Sequence, residues 1–207
     1  PALVLPILAL GALWVVLWRG PVRFAGVLPM LAAFGLWALA ERPPLLISGD
    51  GGLLGVATEG PRSVSAEKGA GFVARQWLEN DGDLADQVEA AARSGFSGAA
   101  TARELLFAGW RIVQLKGKNG AKGLAAACER ADLVILASRV EGTAPTGCLV
   151  IDAQRLRRTG ALAIWPDGDR LRVVPTQNQA RLWSKGRRQA AFWLEGRIAP
   201  HLQAQDQ

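Results

Sequence analysis

Histidine is almost missing from this chain: 207 residues contain one, His201, in the polar C-terminal stretch. A structural zinc site needs four nitrogen or sulfur ligands at close spacing, and one His with two well-separated cysteines does not supply them. Nor can a Ser/His/Asp or Cys/His nucleophile be assembled around an imidazole at the end of the chain. The sequence therefore points to no catalytic residue, no metal ligand and no cofactor. Cysteine is nearly as scarce. Cys128 and Cys148 fit either a disulfide in an oxidising compartment or a pair of small, reduced, apolar side chains.

Charge is absent altogether from two stretches. Residues 2–18 and 24–40 hold no Asp, Glu, Lys or Arg, and Arg19, Gly20, Pro21, Val22 and Arg23 separate them. Each approaches the roughly 17–25 residues with which an α-helix crosses a hydrocarbon core. Trp14, Trp18 and Trp37 fall near the ends, where indoles favour the membrane interface. A signal peptide would carry its charge before the apolar run rather than after it, so the pattern predicts two transmembrane helices folded as a hairpin over residues 1–42. A buried hairpin of a soluble protein is the competing reading. Arg19 and Arg23 place the turn in the cytoplasm by the positive-inside rule, which puts the following domain on the extracytoplasmic, periplasmic side. The first residue is Pro1 rather than Met, as expected for the C-terminal part of something longer.

Beyond Pro43 and Pro44 the chain is long enough for one compact domain. Residues 45–48 and 53–58 read as short strands around Gly49, Asp50, Gly51 and Gly52, with Asp50 as a turn former rather than a catalyst. Residues 60–71 read as a loop or an irregular strand, 72–78 as a short helix, and 79–102 as a surface excursion whose Asp81, Asp83 and Asp86 are solvated. Strand 110–115, helix 121–130 with a small-residue face at Ala125, Ala126 and Ala127, and strand 132–137 form a βαβ unit with a parallel pair. Further strands are expected at 148–151, 161–165 and 171–174, with a turn at 166–169. The expected fold is two transmembrane α-helices followed by an α/β (α+β) layered domain over 43–180, then a basic, Trp-containing polar tail over 181–207. The glycine-rich loop Gly117 to Gly123 lacks the residue order of a phosphate-cradling Walker loop.

A net charge of +6 suits an anionic partner. Three basic clusters are candidates for phosphate contact: Lys116, Lys118 and Lys122; Arg155, Arg157 and Arg158; and Arg181, Lys185, Arg187 and Arg188. Trp183 and Trp193 are candidate stacking surfaces for single-stranded bases. A solvated basic face, with the tail on anionic lipid, explains the same pattern.

Read in order, LLISGDGGLLGV (45–56), GFVARQWLENDGD (71–83), ADLVIL (131–136), CLVID (148–152) and LRRTGALAIW (156–165) resemble the end of a ComEC-type competence protein, the inner-membrane channel family for DNA uptake. The resemblance implies a multi-pass protein of the bacterial inner membrane, partnered by the rest of the channel upstream in the same chain, by the lipid bilayer, by single-stranded DNA and by other competence proteins. It also implies a tail domain resembling the metallo-β-lactamase fold. The nuclease members of that fold need an H-x-H-x-D-H motif and further histidines to hold two metal ions. Where the family often has His-His-Gly-Ser after the ADLVIL-like strand, this chain has Ser138, Arg139, Val140, Glu141 and Gly142. The expected function is thus the terminal part of a channel for single-stranded DNA in natural transformation, with a degenerate, non-catalytic domain. The alternative is a membrane-anchored nuclease or other hydrolase using a non-standard site.

Overall fold

The computed structural model describes residues 3–58, 60–117, 119–140, 142–143, 145–177 and 191–195. These divide into two compact units, with the boundary between Arg42 and Pro43.

In the first unit, α1 (Val4–Leu17) and α2 (Val27–Ala38) are joined through a 3-10 helix, Pro21–Gly26. Pro6 and Pro29 each fall in the first turn of an α-helix, where the missing N–H has no intrahelical partner to lose. Glycines set the contact between the two helices. A Cβ on Gly11 would stand 2.7 Å from the Gly26 carbonyl oxygen, and one on Gly26 would stand 2.6 Å from that of Gly11. Close backbone approach through small residues is how helices pack where lipid removes the hydrophobic drive between them. Trp14 stacks on Trp18 at 4.3 Å and donates from Nε1 to the Val22 carbonyl at 3.2 Å, fastening the turn. Large apolar side chains such as Leu5, Val16 and Leu28 remain exposed. The expectation of two spans is reduced here. The 3-10 helix and α2 run together over 18 residues, Pro21–Ala38, the one helix among the described residues long and apolar enough to cross a membrane by length and composition. The 14 residues of α1 rise only about 21 Å.

The second unit is an α+β fold of two sheets. The first has the order β11-β10-β9-β1-β2-β3, antiparallel throughout: β1 Leu45–Ile47, β2 Leu54–Val56, β3 Ser63–Val64, β9 Leu162–Asp167, β10 Arg170–Pro175 and β11 Phe192–Glu195. The second has the order β4-β5-β6-β7-β8: β4 Ser97–Ala99, β5 Ala102–Phe107, β6 Trp110–Leu115, β7 Leu133–Leu136 and β8 Leu149–Asp152. Its β6–β7 and β7–β8 pairs are parallel.

Alternation along the strands assigns the layers. Ile112, Leu133 and Ile135 join Leu45, Ile47, Leu54 and Ile164 in one core between the sheets. Val113, Leu115, Val134 and Leu136 point the other way, under α5 (Leu124–Cys128). On the far side of the first sheet, Leu53 and Val64 pack beneath α3 (Gly71–Asp81) and α4 (Gln87–Ala92). Helices thus flank a pair of facing sheets. The helix α6 (Ala153–Thr159) sends Leu156 into the inter-sheet core. Cys148, just before β8, is joined to Cys128 at the end of α5 by a disulfide, with Cα atoms 5.0 Å apart. Closing such a loop is worth roughly 3 kcal/mol.

Several sequence expectations change. Residues 79–102 are not a bare excursion: they include α4, fixed at its start by a reciprocal Asp86/Glu89 capping box, and β4. Asp81 and Asp83 are not simply solvated, because Asp81 accepts from the buried Arg62 and Asp83 pairs with Arg93. Arg62 is 1% exposed and also donates to the carbonyls of Gly55 and Pro43, while its own carbonyl accepts from Arg93. On α5 the buried residues are Leu124, Ala127 and Cys128, so Ala125 and Ala126 do not form the packing face. Within the expected tail, Phe192–Glu195 adds a strand to the first sheet by pairing with β10.

Asp81→Ala would leave the Arg62 guanidinium buried without this counter-charge, a loss of about 3–5 kcal/mol. A chemical denaturation curve of the variant should give an unfolding free energy lower by that amount. A shift under 1 kcal/mol would show the network to be dispensable.

Candidate functional site

Two places in the second unit gather chemically capable side chains. The first is the end of the sandwich crossed by the β1–β2 turn. The Ser48 hydroxyl accepts from the Leu53 N–H and donates to the Asp50 carboxylate, which also accepts from the Gly52 N–H. Gly51 has φ +71°, and a Cβ there would lie 3.0 Å from Leu156 Cδ1. Asp50 therefore shapes the turn, in keeping with its neighbours in the sequence. Burial works to raise the Asp50 pKa, but the hydrogen bonds from Ser48, Gly52 and its own N–H hold it below the usual carboxylate value. Beside this turn lies a cleft of about 520 Å³ that Arg103 and Lys116 line with Asp50 and Ser65. Lys116 is half-buried, and that burial, together with the charge of Arg103, lowers its pKa.

The second place is the outer face of β9, β10 and β11. Trp165 stands opposite Arg172 across one strand pair, and Arg172 opposite Trp193 across the next. Directly opposed residues share a face. The Arg172 guanidinium lies 5.9 Å from the Trp165 ring centre, and Trp193 is half exposed with its Nε1 donating to Asp167 Oδ2 at 2.9 Å. The face thus carries two indoles with a cation between them.

Of the sequence candidates, Lys116 lines the cleft, whereas Lys122 sits exposed on the 3-10 turn Gly120–Gly123. Arg155, Arg157 and Arg158 are exposed on α6. Arg155 lies over the Phe192 ring at 5.3 Å, and Arg157 and Arg158 occupy the last turn, where cations offset the helix dipole. Lys118, Arg181, Lys185, Arg187, Arg188, Trp183 and His201 lie outside the described residues. Sequence reasoning missed Arg103, Trp165 and Arg172. The first is unremarkable until β5 is placed, and the other two gain meaning only from the strand register. Among the described residues no three His, Cys, Asp or Glu side chains are grouped to hold a metal ion.

No protein-family model matches this chain, nor does a curated protein or a solved structure.

The lowered Asp50 pKa has a definite pH consequence. Its folded value lies below the unfolded one, so its stabilisation is complete above the ordinary value of about 3.9 and disappears as pH falls through the folded value. Asp50→Asn should flatten the acid limb of the stability profile in that window, read by tryptophan fluorescence. An unchanged limb would contradict the turn role.

Proposed function

We propose that this chain is the terminal part of a ComEC-type inner-membrane channel that passes single-stranded DNA into the cytoplasm, with an extracytoplasmic domain that is not a catalyst. The observation that carries the reading is the joining of a glycine-packed helical hairpin, charge-free except at its turn, to an α+β unit whose ordered segments resemble the family's without its histidines. LLISGDGGLLGV supplies the β1–β2 hairpin, and ADLVIL supplies β7 at the centre of the parallel strands. Helices outside two facing sheets support assignment to a degenerate metallo-β-lactamase-like fold.

The placement across the membrane draws on two independent features. Arg19 and Arg23 favour a cytoplasmic turn, and a Cys128–Cys148 disulfide is the kind of bond that persists on the oxidising side. The Trp165–Arg172–Trp193 face supports contact with a single strand, since indoles stack on any base at roughly 1–3 kcal/mol each. The exposed arginines of α6 would add sequence-independent phosphate contacts that weaken with salt.

Disruption of the intact gene tests this proposal. Labelled duplex DNA should still reach the periplasm, while recovery of labelled strand from the cytoplasm falls to background. Normal cytoplasmic entry would overturn it. Metal-dependent cleavage by the purified chain, abolished by Asp152→Asn or Asp50→Asn, would favour a membrane-anchored nuclease instead.

A further inference from the structure

Arg103, Gln114 and Lys116 meet at one end of the inner face of the second sheet. Arg103 stands directly opposite Gln114 in the β5–β6 register, and Lys116 follows two residues later with its N–H on the Thr101 carbonyl. Strand alternation puts all three on the side of Leu105 and Ile112, which belong to the inter-sheet core. Here the apolar layer stops and the β1–β2 turn crosses over: Gln114 Nε2 donates to the Gly51 carbonyl at 2.7 Å. That bond fixes the amide orientation and directs Oε1 elsewhere. Oε1 is buried without a partner on a residue only 1% exposed, and so is Nε of the facing Arg103. They face each other across the strand pair, an acceptor opposite a donor.

Charge is equally incomplete. Arg103 Nη1 donates to the Gly98 carbonyl at 3.0 Å, but among the described residues neither Arg103 nor Lys116 forms an ion pair. The Asp50 carboxylate in the same cleft is engaged by Ser48 and Gly52. Glu67 and Lys68 add one charge of each sign to the wall, followed by Gly69 and Ala70 at the start of α3, which has no side-chain cap. Two cations without a carboxylate partner call for an anionic ligand.

We infer that the cleft binds a phosphate group, with Arg103 and Lys116 on its anionic oxygens. Inorganic phosphate and a phosphomonoester terminus offer the two cations a nearly doubly charged group, whereas an internal phosphodiester carries a single charge. The inference rests on the proposed channel function only for the carrier of the phosphate, which there would be the 5′ end of a DNA strand.

The test is calorimetric titration of the full chain in a non-ionic detergent with inorganic phosphate, then with oligothymidylate carrying or lacking a 5′ phosphate. Arg103→Gln and Lys116→Gln should each weaken phosphate binding by about tenfold, and Lys122→Gln, outside the cleft, should not. Tryptophan fluorescence identifies any variant that fails to fold. Preference for the phosphorylated oligonucleotide, lost in the same variants, supports both site and DNA carrier. Phosphate binding with no oligonucleotide preference leaves the site standing and counts against the DNA reading. Absence of phosphate binding by the parent chain, or binding that both cleft variants retain, overturns the inference.

Discussion

The α+β unit depends on alternation along β6 and β7. These two strands have apolar side chains on both faces, so they can be stable only as a layer covered on each side. Ile112, Leu133 and Ile135 fill the space between the sheets, while Val113, Leu115, Val134 and Leu136 need α5 above them. Parallel strands require this double coverage because their crossover lies on a face. The facing sheet and the helix are therefore consequences of the same residues. Where alternation delivers polar residues to the inner face, at Arg103, Gln114 and Lys116, the core ends and a cleft begins.

A second constraint acts at the opposite face of the first sheet. Arg62 lies where β2, the start of the unit at Pro43 and the end of α3 converge, and its hydrogen bonds satisfy a group that would otherwise be too costly to bury. A charged side chain here does what an apolar one could not: it donates to two backbone carbonyls, those of Gly55 and Pro43, as well as to a carboxylate. Such satisfied buried networks fix one arrangement of their elements. They also explain why the acidic residues around Asp83 face inward to arginine rather than outward to water.

Short-range signals were legible in the sequence. The β1–β2 hairpin follows from Asp50 and its glycines, the βαβ unit from the apolar run of β7, and the helix breaks from Pro43 and Pro44. Other elements were hidden for physical reasons. The two residues of β3 are too few to show periodicity, so residues 60–71 read equally as loop or irregular strand. β4 contains only Ser97, Gly98 and Ala99, so its pairing comes from the hairpin with β5. α4 carries small residues, and its start is marked by Asp86 and Glu89 rather than by an apolar stripe. β11 is a strand only because β10 offers an edge. The cleft could not be read at all, since Arg103 and Lys116 become neighbours through the β5–β6 register.

The proposal most open to test is that this unit lies on the oxidising face of the bilayer, where a disulfide persists. Leu84, 99% exposed on the loop before α4, offers a reporting position. Labelling of Leu84→Cys with a membrane-impermeant maleimide, in spheroplasts expressing the intact gene, is the most direct measurement. The account predicts full labelling before lysis. Labelling only after the membrane is broken would place the unit in the cytoplasm and contradict it.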